Sequence, residues 1–229
     1  MDLTVKPLRL NCNIFFKANR PSNKDEVPAE INYKYSTPES REKTIAILGA
    51  SVDSQELSPY TKQANSLARE LVARGYNIVT GAGSAGIMGA ANKGGHEAEL
   101  NPENKNHGEC LGLMTQEAWG NEDYRNCNII KRAGDDFTRI ADFDKVAKHI
   151  VAFPGGAMTV AEATSFIAKA RYEKGDKKPD VSFIGPYQGL DFQYETLEKI
   201  KTLGTNRQTI YKSYNDVKSL LDEKFPNLK

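Results

Sequence analysis

The chain has 229 residues with 31 basic and 30 acidic side chains, for a formal charge of +1. That length suits a single α/β domain with a core large enough to need no metal or disulfide, and the charge balance supplies no global field for nucleic acid or an anionic membrane. Cys12, Cys110 and Cys127 are odd in number and lack a CxxC spacing, which argues against a disulfide framework or a zinc site and leaves them as small buried hydrophobes.

The N-terminus has no apolar leader, and no segment approaches the ~18 apolar residues that mark a span, so a cytoplasmic protein without a membrane partner is expected. Residues 1 to 43 carry one apolar run, Cys12 to Phe16, and then a polar stretch with Pro21, Pro28 and Pro38. They read as an arm appended to a domain spanning 44 to 229.

From Thr44 the register becomes regular. Thr44 to Gly49 reads as a buried parallel strand, and Gly49-Ala50-Ser51 as the turn at its carboxyl end. Ser58-Pro59 supplies a cap and a first-turn proline for a helix whose stripe is Leu67, Leu71 and Val72 and which ends at Gly75. Tyr76 to Thr80 is the second strand. The run Gly81-Ala82-Gly83-Ser84-Ala85-Gly86 follows and leads into a helix, a literal GxGxxG. It stands after the second strand rather than the first, and no acidic residue ends a strand about 20 positions on, as a ribose-binding carboxylate would. A dinucleotide site, close backbone approach to another nucleotide, and plain helix–strand packing all remain open.

Residues 99 to 109 are a polar excursion expected to be a mobile loop. Cys110 to Met114 and Asn128 to Ile130 read as the third and fourth strands. Asp135 or Asp136 can cap the next helix, with Phe137, Ile140 and Ala147 facing inward and Arg139 aboard. His149 to Ala152 is the fifth strand, and Val181 to Ile184, beyond a further helix, the sixth. Two amphipathic helices, near 188 to 203 and 215 to 224, close the chain. The alternation predicts a doubly wound, Rossmann-like parallel sheet of six or seven strands with helices on both faces, and ligands beyond the strand carboxyl ends.

The fifth strand runs into Phe153-Pro154-Gly155-Gly156-Ala157-Met158-Thr159-Val160-Ala161-Glu162, a glycine turn opening a helix expected from Thr159 to about Arg171. The two glycines are expected to admit positive φ and close approach of a ligand. The free N–H groups behind them form an anion site suited to phosphate. Thr159 to Glu162 also fits the capping box S/T-x-x-E, in which the glutamate merely bonds the cap N–H. Arg139 can likewise be a surface arginine paired with Asp135 or Asp142.

Together these segments resemble the Lonely Guy cytokinin-activating phosphoribohydrolases, a group once described as lysine decarboxylases. The glycine turn is similar to that family's PGGxGTxxE signature, Ile87-Met88-Gly89 to its GLMG segment, and Asp136-Phe137-Thr138-Arg139 stands in the place of its M-H-E-R-K motif. The resemblance covers Thr44 onward. It implies hydrolysis of the N-glycosidic bond of a nucleoside 5′-monophosphate, with Arg139 and Glu162 as the catalytic pair and no metal or redox cofactor. It implies Gly155, Gly156 and Thr159, with Ser51, Gly83 and Gly86 from the earlier turns, as substrate and phosphate contacts, and Arg139 as the charge that keeps Glu162 ionised. It also implies at least a homodimer. Met158 replaces the family's third glycine, Ala161 a glutamate, and Thr138 and Ile140 the residues flanking the arginine. A lysine decarboxylase needs a Schiff-base lysine, and none sits in the three turns. An enzyme and a non-catalytic nucleotide-ligand sensor or carrier both stay open.

Overall fold

The computed structural model describes residues 30–55, 57–118, 126–185 and 211–228. Seven strands form one sheet: β1 (Thr44–Leu48), β2 (Asn77–Thr80), β3 (Cys110–Thr115), β4 (Asn128–Ala133), β5 (His149–Ala152), β6 (Asp180–Ile184) and β7 (Tyr211–Tyr214). Every pairing is parallel, in the order β4-β3-β2-β1-β5-β6-β7. The expected α/β class and doubly wound sheet are therefore what the chain adopts. β7 was not read from the sequence: only its two tyrosines are buried, and Lys212 and Ser213 are exposed, so it lacks the apolar run of a central strand.

Around the sheet lie α1 (Pro38–Glu42), α2 (Ser58–Ala73), α3 (Gly86–Leu100), α4 (Asp136–Val146), α5 (Ala157–Tyr172) and α6 (Val217–Lys224). Side chains of a strand alternate between faces, and β1 shows the consequence. Ile45 and Ile47 join the core under α2, α3 and α6, with Leu67, Leu71 and Leu220. Ala46 and Leu48 join the core under α4 and α5, with Phe143, Phe166 and Ile167. Cys110 and Cys127 are buried, and Cys110 Sγ lies 3.7 Å from Asn92 O. The helix expected near 188 to 203 lies outside the described residues.

Two expectations are corrected. Phe137 is 77% exposed, because α4 turns Asp142, Phe143 and Val146 toward the sheet instead. Ser58 is the first residue of α2 rather than its cap. The polar stretch after α3 makes hydrogen bonds to the domain: Asn104 Nδ2 donates to Ala98 O at 2.9 Å and Gly108 N to Val72 O at 2.9 Å. Its last residue, Glu109, accepts from the Tyr35 hydroxyl at 2.6 Å, and Tyr35 is itself buried against the sheet. Residues 30–43 thus pack on the domain, with Thr37 capping α1 through Ser40 N.

Candidate active site

From β1 the chain winds outward through β2, β3 and β4, then crosses back to β5 beside β1 and winds the other way. The crevice beyond the carboxyl ends of β1 and β5 is thus the switch point where ligands of such sheets bind. A pocket of about 140 Å³ opens there, lined by the end of β1 through Ser51, by Gly81 and Met88, by Arg139, and by Gly156 to Glu162 of the α5 turn.

The glycine turn is built by crowding rather than by unusual dihedrals. Gly156 has φ −77°, and the described glycines with positive φ are Gly75, Gly86 and Gly175, so the expected positive φ at Gly155 and Gly156 is not found. A Cβ at Gly155 would stand 2.2 Å from Thr159 Oγ1 and 2.9 Å from Ala50 N, whose proton goes to Pro154 O at 3.1 Å. At Gly156 a Cβ would meet nothing within 4 Å, because that side of the turn faces the pocket.

The helix behind the turn starts at Ala157, two residues earlier than expected, with Gly156 as a cap that has no side chain to offer. Its first bond runs from Val160 N to Gly156 O at 3.1 Å, so the N–H groups of Ala157, Met158 and Thr159 precede the intrahelical ladder. Their partial positive charge and the helix dipole favour an anion. Thr159 is the third helical residue and not the cap, which rules out the capping-box reading of Glu162.

Glu162 instead points into the pocket and is 6% exposed. Its Oε1 lies 3.3 Å from an Arg139 terminal nitrogen, and that same nitrogen lies 2.9 Å from Asp136 Oδ1. Burial pushes the Glu162 carboxyl above its usual range; Arg139 opposes the rise and Asp136 adds to it, and the net direction is up. The guanidinium thus favours the ionised carboxylate, as expected, but desolvation is the larger influence. Arg139 does not pair with Asp135, which caps α4 by accepting from Thr138 N at 2.7 Å, or with Asp142, which is buried against Lys131 and Lys145. Its Nε is buried and has no partner among the described residues.

The structure thus brings together Arg139, Glu162, Gly156, Thr159 and Ser51, with Gly155 supporting the turn from behind. It leaves Gly83 and Gly86 out. Gly83 offers its carbonyl to Asn92 Nδ2 at 2.9 Å. Gly86, at φ +62°, packs so tightly that a Cβ would lie 2.4 Å from Ala50 O. The donors that open α3 are already used, Gly86 N by Asp53 Oδ1 at 2.9 Å and Ile87 N and Met88 N by Ala50 O at 2.8 and 3.3 Å. The first N–H groups of α3 are thus engaged within the fold, and Gly81 is the glycine of the GxGxxG run that lines the pocket. Sequence reasoning passed over Asp136 as a site residue, although its i,i+3 spacing from Arg139 was legible. Among the described residues no group of three His, Cys, Asp or Glu could hold a metal, and no helix is long and apolar enough to cross a membrane.

A doubly wound parallel sheet with an uncapped helix terminus and a buried Arg–Glu pair at its switch point defines an α/β protein of the Rossmann-like kind with a polar pocket at that point. A family model described as the SLOG cluster4 family matches residues 42–172, more than half of the chain, and the chain belongs to that family. It is 34% identical over 123 residues to the cytokinin riboside 5′-monophosphate phosphoribohydrolase LOG5 of Arabidopsis thaliana, covering 52% of this chain and 49% of that one. It is 28% identical over 152 residues to a LOGL9 protein of Oryza sativa named as a cytokinin riboside 5′-monophosphate phosphoribohydrolase, covering 64% and 61%. The matches thus span about half to three fifths of these relatives. Among solved structures, the Moco carrier protein of Chlamydomonas reinhardtii superposes with a TM-score of 0.55 at 18% identity, over 78% of this chain and 93% of that one. The molybdenum cofactor binding protein of Rippkaea orientalis gives 0.52 at 12%, over 78% and 91%. Identities this low establish the fold alone.

Proposed function

We propose that the chain is a phosphoribohydrolase that cleaves the N-glycosidic bond of a nucleoside 5′-monophosphate, of the AMP or cytokinin-nucleotide type, to free base and ribose 5-phosphate. The observation that carries this reading is the buried Glu162–Arg139 pair one turn inside an uncapped helix N-terminus. Four residues separate Met158 from Glu162, a rise of about 6 Å along the helix. A 5′-phosphate on the first N–H groups of α5 therefore reaches with its ribose to the carboxylate. The pocket of about 140 Å³ is smaller than the ~300–1,000 Å³ usual for whole ligands; it suits the sugar phosphate, with the base at its mouth.

In this reading the phosphate binds the N–H groups of Ala157, Met158 and Thr159, which fixes the sugar at low entropic cost. The C1′–nitrogen bond breaks with positive charge growing on the ribose, and the Glu162 carboxylate stabilises that charge. Water oxygen bonds to C1′, Glu162 accepts the water proton, and the base leaves with a proton from solvent. Arg139 holds the ligand and offsets part of the desolvation of Glu162.

The test is incubation with AMP and other nucleoside monophosphates, followed by chromatography for free base. Glu162→Gln is expected to keep the fold and lower turnover roughly a hundredfold or more, the scale of a positioned general base. A variant that releases base at the wild-type rate removes Glu162 from the mechanism. A second reading, a nucleotide-ligand carrier, draws support from the shared fold with Moco carrier proteins. It predicts ligand-dependent stabilisation without any base release.

A further inference from the structure

Asp136, the first residue of α4, has no part in the mechanism so far. One terminal nitrogen of Arg139 lies between two carboxylates, Asp136 Oδ1 at 2.9 Å and Glu162 Oε1 at 3.3 Å. These oxygens are no further apart than the two distances combined. They sit in different surroundings: the Asp136 side chain is 42% exposed and that of Glu162 only 7%. Asp136 and Arg139 are three residues apart on one helix face, so the contact is built into α4. The buried Nε of Arg139 has no hydrogen-bond partner among the described residues. The remaining residues that line the pocket, from the β1 end, Gly81, Met88, Phe143 and the α5 turn, carry no charge. Among the described residues, Arg139 and Asp136 are thus the charged groups that act on Glu162.

We infer that Asp136 is a positioning residue, which shares Arg139 with Glu162 and thereby sets how readily the buried carboxylate ionises. A single guanidinium nitrogen cannot serve two carboxylates fully, and the more exposed partner holds it at the shorter distance. The negative charge on Asp136 also acts directly against ionisation of Glu162. The inference rests on the phosphoribohydrolase reading for its effect on turnover, whereas its effect on ionisation does not.

The experiment follows the Glu162 carboxyl by carbon-13 NMR across a pH titration, its signal assigned by loss in Glu162→Gln. In Asp136→Asn the midpoint is expected to fall by about half a unit to one unit, the effect of a like charge roughly 6 Å away in a medium of high effective dielectric. Asp136→Glu, which retains the charge, is expected to stay near the wild-type midpoint. If Asp136 merely supports the first turn of α4, Asp136→Asn lowers the melting temperature and leaves the midpoint where it was, and that result overturns the inference. If the wild type releases base, the acid limb of its pH–rate profile moves down with the midpoint in Asp136→Asn. A moved midpoint in a protein that releases no base supports the inference and refutes the phosphoribohydrolase reading.

Discussion

Gly155 and Gly156 are neighbours with opposite surroundings, and alanine at each position separates fold from binding. At Gly155 the new methyl group would stand 2.2 Å from Thr159 Oγ1, 2.6 Å from Thr159 Cβ and 2.9 Å from Ala50 N. Thr159 is buried and Ala50 N is bonded to Pro154 O, so neither yields easily. Overpacking of this kind costs about 1–3 kcal/mol, and at about 2–4 °C per kcal/mol for a chain of this size Gly155→Ala should melt on the order of 5 °C lower. At Gly156 the methyl group enters open space at an ordinary φ of −77°. Alanine is the poorer helix cap by a few tenths to about 1 kcal/mol, and restricting the unfolded chain returns about 0.4–1 kcal/mol. Gly156→Ala should therefore melt within about 2 °C of the wild type. In the proposed binding mode, however, its Cβ stands on the pocket side where the phosphate would approach the α5 N–H groups. The assay is melting by scanning fluorimetry with and without AMP. A ligand at a hundred times its Kd adds about 2.7 kcal/mol, a rise of several degrees that Gly156→Ala should lose. If Gly156→Ala keeps the full rise, or Gly155→Ala melts like the wild type, the roles given to the two glycines are wrong.

Arg139→Lys should preserve charge and fold while lowering turnover, since lysine has no planar fork to span Asp136, Glu162 and ligand; steady-state base release checks it. Glu162→Gln should not melt below the wild type at neutral pH, because a carboxyl raised by burial is ionised at a cost to the native state; a clear drop would contradict that direction. At Asp180, burial raises the carboxyl but hydrogen bonds from His149 and Lys224 outweigh it and hold it at about 2. The depressed value adds stability above the unfolded 3.8 that is lost as pH falls toward 2, so Asp180→Asn should flatten the melting temperature over that window. The homodimer or higher homo-oligomer that the family resemblance implies should give at least twice the chain mass in light scattering at micromolar concentration, and a monomer mass would refute it.

Six of the seven strands were legible because buried parallel strands read as apolar runs, Thr44–Leu48 being all buried. β7 was not, because an edge strand with Lys212 and Ser213 turned outward has no such run. Arg139 and Glu162 were legible as a pair only through their place in two motifs. That burial rather than Arg139 decides the Glu162 carboxyl depends on how deeply α5 is packed, which no local spacing records. Thr159-Val160-Ala161-Glu162 imitates a capping box, and the misreading follows from placing the helix start two residues late. The GxGxxG run misled for a different reason: its helix donors are taken by Ala50 and Asp53, some 33 positions away in the chain at Gly86, a contact that only the closed fold reveals.

The pairing of β1 with β5 has a kinetic corollary. It joins Ile45 to His149 and Leu48 to Ala152, about a hundred residues apart, whereas β1 meets β2 across about a third of that distance. Contacts of long sequence separation form late, since the entropy of closing the loop comes before any reward. Residues 47–51, 81–88, 139–143 and 156–162 meet only once β5 has docked, so a chain that has assembled β1 to β4 has no pocket. A nucleotide bound as proposed would recognise only the completed sheet, and its stabilisation should appear as slower unfolding, with the folding rate unchanged.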